Sequence, residues 1–399
     1  MNEIQPALRK ERYYSLDIFR GATVAFMILV NNQAGTPYGP LDHAPWHGLT
    51  PTDLVFPFFL FAVGNAFAFV IPSLQQAGPS AFWRKVSKRA LLIFLIGLLL
   101  NWFPFIRWDH DALVGKGWTW INAKGELAGI RIMGVLQRIS LCYFFAAIIV
   151  YFSKARTALV ISITLLFVYW ILCAVFGSAP DPYSLQGYFG TAVDKAVFGE
   201  AHMYHGEGIA FDPEGLTSTI SAITNVVLGY FAGSYIRRQG KTFDMLSHLL
   251  LAAFALLVLG WCWNSFFPVN KKIWTSSYVL VSTGLALAAL AALIYIVEFR
   301  GLRGSWTRFF DVFGKNPLFI FVISGLVPRA LGLIRIAAGL TPEEHTKWTT
   351  PLGWFYEHVC KPVTGAYEPN ASLLYAISLV LCYWLLGLWL DRKKIYIKV

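Results

Sequence analysis

Ten runs of mostly apolar residues, each about as long as a membrane is thick, constrain this chain more than any other feature. They fall at 15–31, 53–72, 89–105, 132–152, 157–176, 216–236, 246–264, 275–297, 316–336 and 372–390. A helix needs about 20 such residues to cross the hydrocarbon. Lipid offers no partner to a backbone N–H or C=O, so only helices or closed barrels cross it, and these runs are too long for barrel strands. The predicted fold class is all-α: a polytopic membrane helix bundle of about 10–11 transmembrane helices, forming one domain over residues 1–399. The ninth run follows Gly314 and contains Pro317 and Pro328, so it is expected to be broken or to hide an eleventh segment. Only 14% of the residues are charged, which excludes an ordinary soluble domain and a disordered tail. The five cysteines have no disulfide or zinc spacing. Met1 to Tyr14 shows no cleavable signal pattern, so the first run is expected to remain as an anchor.

The net charge of +11 would suggest nucleic acid in a soluble protein, but the placement of the charges explains it otherwise. Arg9, Lys10, Arg12, Arg84, Lys85, Lys88, Arg89, Lys154, Arg156, Arg237, Arg238 and Lys241 fall on one side of the runs. Arg300, Arg303, Arg308, Lys315, Arg392, Lys393, Lys394 and Lys398 join them, making 20 of the 33 basic residues. The richer side also has the shorter loops. The positive-inside rule then puts both termini in the cytoplasm, and no nucleic-acid partner is expected. Two basic residues, Arg20 and Arg138, fall inside apolar runs. The outward loops, about 32–52, 106–131, 177–215, 265–274 and 337–371, are long and hold His43, His47, His110, His202, His205, His345 and His358. Such loops suit a polar substrate outside the membrane, although Trp and Tyr also populate every membrane interface.

Several constellations carry candidate chemistry. Ser15-Leu16-Asp17-Ile18-Phe19-Arg20-Gly21 puts Asp17 and Arg20 on one helical face, where they can pair; ionisable residues in a span mark either a buried ion pair or a function. Asn31 and Asn32 end the first run. Gly35, Tyr38, His43, Trp46, His47 and Gly48 follow, and Asp53 opens the second. A histidine beside a carboxylate is a candidate general base, with the carboxylate fixing its tautomer. Spacing alone does not choose between His43 and His47. Gln137 and Arg138 lie in or beside the fourth run, where an arginine wants an anionic partner. Gly314-Lys315-Asn316-Pro317 is a candidate anion site at a helix start or an ordinary turn. Glu200, His202, His205, Glu207 and Asp212 match no established zinc spacing, and Gly206 and Gly208 argue for a loop. No metal is expected.

The stretch His-x-x-Trp-x-Gly-x-Thr-x-x-Asp-Leu-Val-Phe-Pro at 43–57 resembles the heparan-α-glucosaminide N-acetyltransferase family and its bacterial NagX/YeiB-like relatives among transmembrane acyltransferases. Ser-Leu-Asp-x-Phe-Arg-Gly at 15–21, Gly-Val-Leu-Gln-Arg at 134–138 and Asp-Pro-Glu-Gly at 212–215 share that likeness. So do Leu228-Gly229 with Ala232-Gly233, Pro268 to Lys272 with Trp274, Ser277 to Val279, and Gly314-x-Asn316, in the family's order over about residues 12–330.

The resemblance implies a membrane enzyme that takes an acetyl group from cytosolic acetyl-CoA and places it on an amino sugar or glycan across the bilayer. It implies His43, not His47, as active-site histidine and Asn31 as active-site asparagine, with Asn32 open, and it suggests a homodimer. The expected location is the bacterial inner membrane, in contact with lipid. In this picture His43 is the base or the acetyl carrier, Asn31 stabilises the oxyanion or positions the acceptor, and Asp53 orients His43. Arg20, Arg138, Lys315 and Asn316 are expected to bind acetyl-CoA near its nucleotide, and Asp17, Asn32, Trp46 and Gln137 to contact the substrate or support the site. Two rival classes fit the same sequence: an amino-sugar transporter without chemistry, and an O-acyltransferase acting on a cell-envelope glycan or peptide.

Overall fold

The computed structural model describes residues 13–397 apart from 110, 123–124, 341–345 and 366. His110, His345, Arg9, Lys10, Arg12, Lys124 and Lys398 therefore lie outside the described residues. A long helix stands at each of the ten runs: α1 (Tyr14–Asn31), α2 (Val55–Ala77), α3 (Pro79–Trp102), α4 (Val135–Phe152) and α5 (Ala155–Phe176), then, beyond the short α6 (Phe189–Phe198), α7 (Thr219–Gln239), α8 (Phe243–Trp263) and α9 (Ser276–Ile294). The ninth run holds α11 (Pro317–Leu331), and the shorter α10 (Ser305–Lys315) lies just before it. Short α12 (Pro351–Phe355) and α13 (Lys361–Thr364) precede α14 (Glu368–Arg392). Among the described residues, seven helices are long and apolar enough to cross a membrane, or eight if the bent pair counts as one span. The protein is an all-α integral membrane bundle.

Helices α1 and α3 stay outside that set for a chemical reason. Helix α1 has 18 residues and carries Asp17, Arg20 and Asn31 among them. Helix α3 begins ten residues before its apolar run, so its first turns hold Arg84, Lys85, Lys88 and Arg89. The break falls at the edge of the ninth run and not inside it: α10 and α11 meet at 81°, at Asn316, just before Pro317, and α11 continues through Pro328. Proline lacks the N–H that would continue the ladder and clashes with the preceding turn. Helix α10 has 11 residues, too few to cross alone, so the break yields no separate eleventh span.

Short links, Gly78, Ser153–Lys154 and Gly240–Thr242, join helices at one end of the bundle. The long connections gather at the other, carrying antiparallel hairpins β1 (Ile106–Asp109)–β2 (Ala112–Gly115), β3 (Thr119–Ile121)–β4 (Leu127–Gly129) and β5 (Ile336–Leu340)–β6 (Thr346–Thr349).

Small residues set the closest helix contacts, since lipid tails give apolar helices no reason of their own to associate. A Cβ on Gly229 or Gly233 of α7 would strike the backbone of α2 at Phe61 or Asn65, and one on Gly64 of α2 would strike Val226. The same device docks α1 on α10: a Cβ on Gly21 would meet the Phe310 carbonyl, and one on Gly314 the Asp17 carbonyl. Helices α2, α7 and α9 are the most buried spans, and α5 and α8 the least.

Candidate functional site

The connection from α1 to α2 builds the densest polar site. Thr50 caps a short 3-10 turn, Pro51–Leu54, and Asp53 is its reciprocal capping partner. Asp53 Oδ2 accepts the N–H of Thr50 at 3.0 Å and of Ala44 at 3.2 Å. The Thr50 hydroxyl bridges Asp53 Oδ2, at 3.1 Å, and the Asp42 carbonyl, at 2.6 Å. The remaining oxygen, Oδ1, lies 2.6 Å from His43 Nδ1. Asp53 is 1% exposed and His43 42% exposed. An ionised carboxylate only accepts, so Nδ1 carries the proton and Nε2 presents a lone pair on the open side.

The site is braced from behind. The buried Tyr278 hydroxyl donates to the Asp53 carbonyl at 2.5 Å. The 268–275 loop grips the histidine loop: Gly48 N–H reaches the Val269 carbonyl at 2.8 Å, and Lys272 Nζ reaches the Pro45 carbonyl at 2.8 Å and Glu207 at 2.7 Å. On the other flank Thr36 donates to Glu368 at 2.8 Å, and Tyr38 bonds Asn370. Gly35 has a φ of 65°, and any side chain there would enter the Tyr356 ring.

The two histidines now differ. His47 Nδ1 accepts from Asn270 at 3.3 Å and has no adjacent carboxylate; burial pushes it down, and the charge of Asp181 opposes that. The two asparagines differ as well. Asn32 Nδ2 donates to the Ile28 carbonyl at 3.0 Å and closes its own helix, whereas Asn31 is exposed and, among the described residues, makes no side-chain hydrogen bond. Trp46 is half-buried, its Nε1–H given to the Tyr183 carbonyl at 2.9 Å, its ring against Phe211. It fastens the loop rather than offering a free face.

Arg138 departs from expectation. It sits in the first turn of α4, at the His43 end, so it stands apart from Arg20 and Lys315. It is fully buried, donates to the Gly215 carbonyl at 3.0 Å and to Ser218, and lies 4.9 Å from the Trp274 ring. Gln137 beside it is buried with Nε2 unpartnered. Below the same loop, half-buried Arg131 makes an ion triad with two buried carboxylates, Asp212 at 2.6 Å and Glu214 at 2.5 Å. Burial would raise Glu214, but the charges of Arg131, Lys271 and Arg138 prevail and hold it well below the usual carboxylate range. Asp194 goes the other way: burial raises it to about 7, against the Leu216 N–H and Arg138. His202 and His205 face backbone carbonyls, of Ile130 at 2.7 Å and Glu200 at 3.1 Å.

The opposite end holds the other candidates. Arg20 pairs with Asp17 at 2.9 Å and reaches the Gly314 carbonyl at 2.7 Å. Lys315 is held by two carboxylates, Asp311 at 2.8 Å and Asp391 at 3.0 Å. Buried Asn316 uses both amide groups on the tail, giving to Ile395 at 3.0 Å and accepting from Ile397 at 2.8 Å. Lys315 and Asn316 therefore fasten the C-terminal segment, and neither is free for a phosphate. Arg20 does line a cleft of about 130 Å³ between α1, α2, α3, α4 and α11. Arg89 lines the same cleft, so it is more than a marker of topology. Thr50 and Tyr278 stand in the resembling motifs without a role of their own, although Thr-x-x-Asp at 50–53 is a legible capping pattern.

No protein-family model matches the chain. It is 28% identical over 383 residues to the curated heparan-alpha-glucosaminide N-acetyltransferase of Homo sapiens, and 26% identical over 392 residues to that of Mus musculus. Each alignment covers 80% of this chain, but 54% and 55% of the relatives, so the chain spans about half the length of the curated relatives it matches.

Proposed function

As a member of a heparan-alpha-glucosaminide N-acetyltransferase-like family, this chain is, we propose, a membrane-embedded acetyltransferase. It moves an acetyl group from acetyl-CoA to the amine of a glucosamine-type sugar. The observation that carries this reading is the His43–Asp53 pair, with its 2.6 Å contact and an open Nε2.

Substrates enter from opposite ends. Acetyl-CoA comes from the cytoplasmic side of a bacterial inner membrane, its phosphates toward Arg20 and Arg89 at the mouth of their shared cleft and its pantetheine arm between the helices. The sugar arrives at the His43 end. His43 Nε2 takes a proton from the acceptor amine as the nitrogen attacks the thioester carbonyl. The C–N bond forms, the C–S bond breaks, and the leaving thiolate takes the proton back from the imidazolium. Asp53 holds the Nδ1–H tautomer and balances the imidazolium charge. Asn31, with its free amide, donates to the carbonyl oxygen as it becomes an oxyanion.

The test is direct. Purified protein given labelled acetyl-CoA and glucosamine is expected to yield N-acetylated sugar. Sugar uptake into protein-bearing vesicles without acetyl-CoA, and no acetylated product, would overturn the reading in favour of a transporter.

A further inference from the structure

Two apolar grooves of nearly equal size run along the outside of the bundle. One, of about 530 Å³, lies between α5, α7, α8 and α9; the other, of about 510 Å³, lies between α1, α2, α9, α10 and α14. The first touches nothing that the acetyl transfer uses. The second follows α1 from Phe19 to Leu29, about 15 Å of helix at 1.5 Å per residue. Leu29 stands one short step before Asn31, the last residue of α1. Pro51 and Leu54 also line this groove, and both belong to the 3-10 turn that carries Asp53, whose Oδ1 lies 2.6 Å from His43 Nδ1. The groove therefore runs from the middle of the membrane-facing surface to the elements that hold Asn31, Asp53 and His43.

Its lining selects the occupant. Among the described residues that line it, Thr23 is the one polar side chain, and its hydroxyl is already given to the Phe19 carbonyl at 2.8 Å. A polar ligand would leave its own donors and acceptors unpaired there. The pantetheine arm carries amides, so it belongs to the Arg20–Arg89 cleft, which shares no lining residue with the groove. A hydrocarbon chain has nothing to leave unpaired. Small residues make room for one: Ala22 and Ala25 on α1, and Ala289 on α9. Lipid tails are as apolar as the groove, so seating one gains little from the hydrophobic effect. What the groove adds is place. A tail lying in it brings its headgroup to Asn31 and Asp53, and so raises the local concentration of whatever the tail carries.

We propose that this groove seats the hydrocarbon tail of a lipid-anchored acceptor, an amino sugar on an acyl or prenyl chain, which enters sideways from the bilayer. That the headgroup is a sugar rests on the acetyltransferase reading; the tail site rests on the groove and on its end at the Asp53 turn.

Kinetics and labelling test it together. Protein in lipid nanodiscs is assayed with methyl and dodecyl glucosaminide. The dodecyl compound is expected to have a KM about tenfold lower with a similar kcat, since a tether changes encounter and not chemistry. Ala22→Trp and Ala289→Trp, which fill the groove, are expected to remove most of that preference. Leu259→Trp, in the other groove, is expected to keep it, which separates seating from partition into the membrane. A preference that survives both filled variants overturns the proposal, as does one that all three variants lose alike. Labelling of the wild type needs no turnover and no variant that folds. Dodecyl glucosaminide with a photoreactive diazirine on its chain is expected to mark α1 between Phe19 and Leu29, and an excess of the unlabelled compound to prevent it. Equal marking by a diazirine-bearing phosphatidylcholine, undiminished by that excess, leaves ordinary lipid in the groove and overturns the acceptor site. Specific marking of α1 with no acetylated product from either glucosaminide defeats the acetyltransferase reading and leaves the tail site standing.

Discussion

The two ends of the bundle treat charge in opposite ways. At the Arg20 end several buried or half-buried polar groups are spent on the fold: Lys315 between two carboxylates, Asn316 on the tail, and Glu298 held by Lys241 at 3.1 Å and Arg303 at 3.0 Å. At the His43 end polar groups are held in place but left open: His43 Nε2 and the Asn31 amide. Helix ends joined by one to three residues can satisfy one another directly. Ends joined by long loops hold polar groups that face solvent. Chemistry belongs at the end where groups are ordered yet unpaired.

The largest effect that would sharpen this contrast comes from Asp53→Asn. The amide accepts or donates, so it no longer enforces the Nδ1–H tautomer, and acetyl transfer is expected to fall roughly 10²- to 10⁴-fold. Acetyl-CoA binding should be unchanged; steady-state kinetics with a binding titration checks both. Next is Arg131→Gln, which strands Asp212 and Glu214 as buried charges. It is expected to destabilise the protein by about 3–5 kcal/mol, read as a lower apparent Tm in detergent.

At the other end, Arg20→Gln removes a cation from the cleft mouth. The KM for acetyl-CoA is expected to rise about tenfold with the KM for the sugar unchanged. Equal rises in both would break the division of labour between the ends. The smallest effect concerns pH. Asp194 is raised to about 7 by burial, so the folded state holds its proton more tightly than the unfolded chain. That contribution is complete below the unfolded carboxylate range and is lost as pH rises through about 7. Thermal unfolding of the wild type should therefore decline from pH 5 to 8 more steeply than that of Asp194→Asn.

The ten helices were legible because crossing lipid demands long apolar runs, and that signal survives without any knowledge of packing. Boundaries were less legible: α3 starts ten residues before its run, since a charged first turn can be helical while facing away from the hydrocarbon. The three hairpins were missed, as two-residue alternation over strands of three to five residues is faint beside 20-residue runs. In the site, His43 and Asp53 were legible as a pair by chemistry and resemblance. Lys315 looked free because Asp391, its distant partner, lies 76 residues along the chain, although Asp311 at four residues was in view. Arg138 was placed at the wrong end, yet its position three residues into a helix that follows a long loop already pointed to the His43 end.

The proposed transfer depends on the open nitrogen of His43. Acetyl transfer and acetyl-CoA binding by His43→Ala, measured side by side in the same preparation, test it. Loss of transfer by roughly 10²- to 10⁴-fold with donor binding intact is the expected result. Transfer at the wild-type rate in that variant would contradict it.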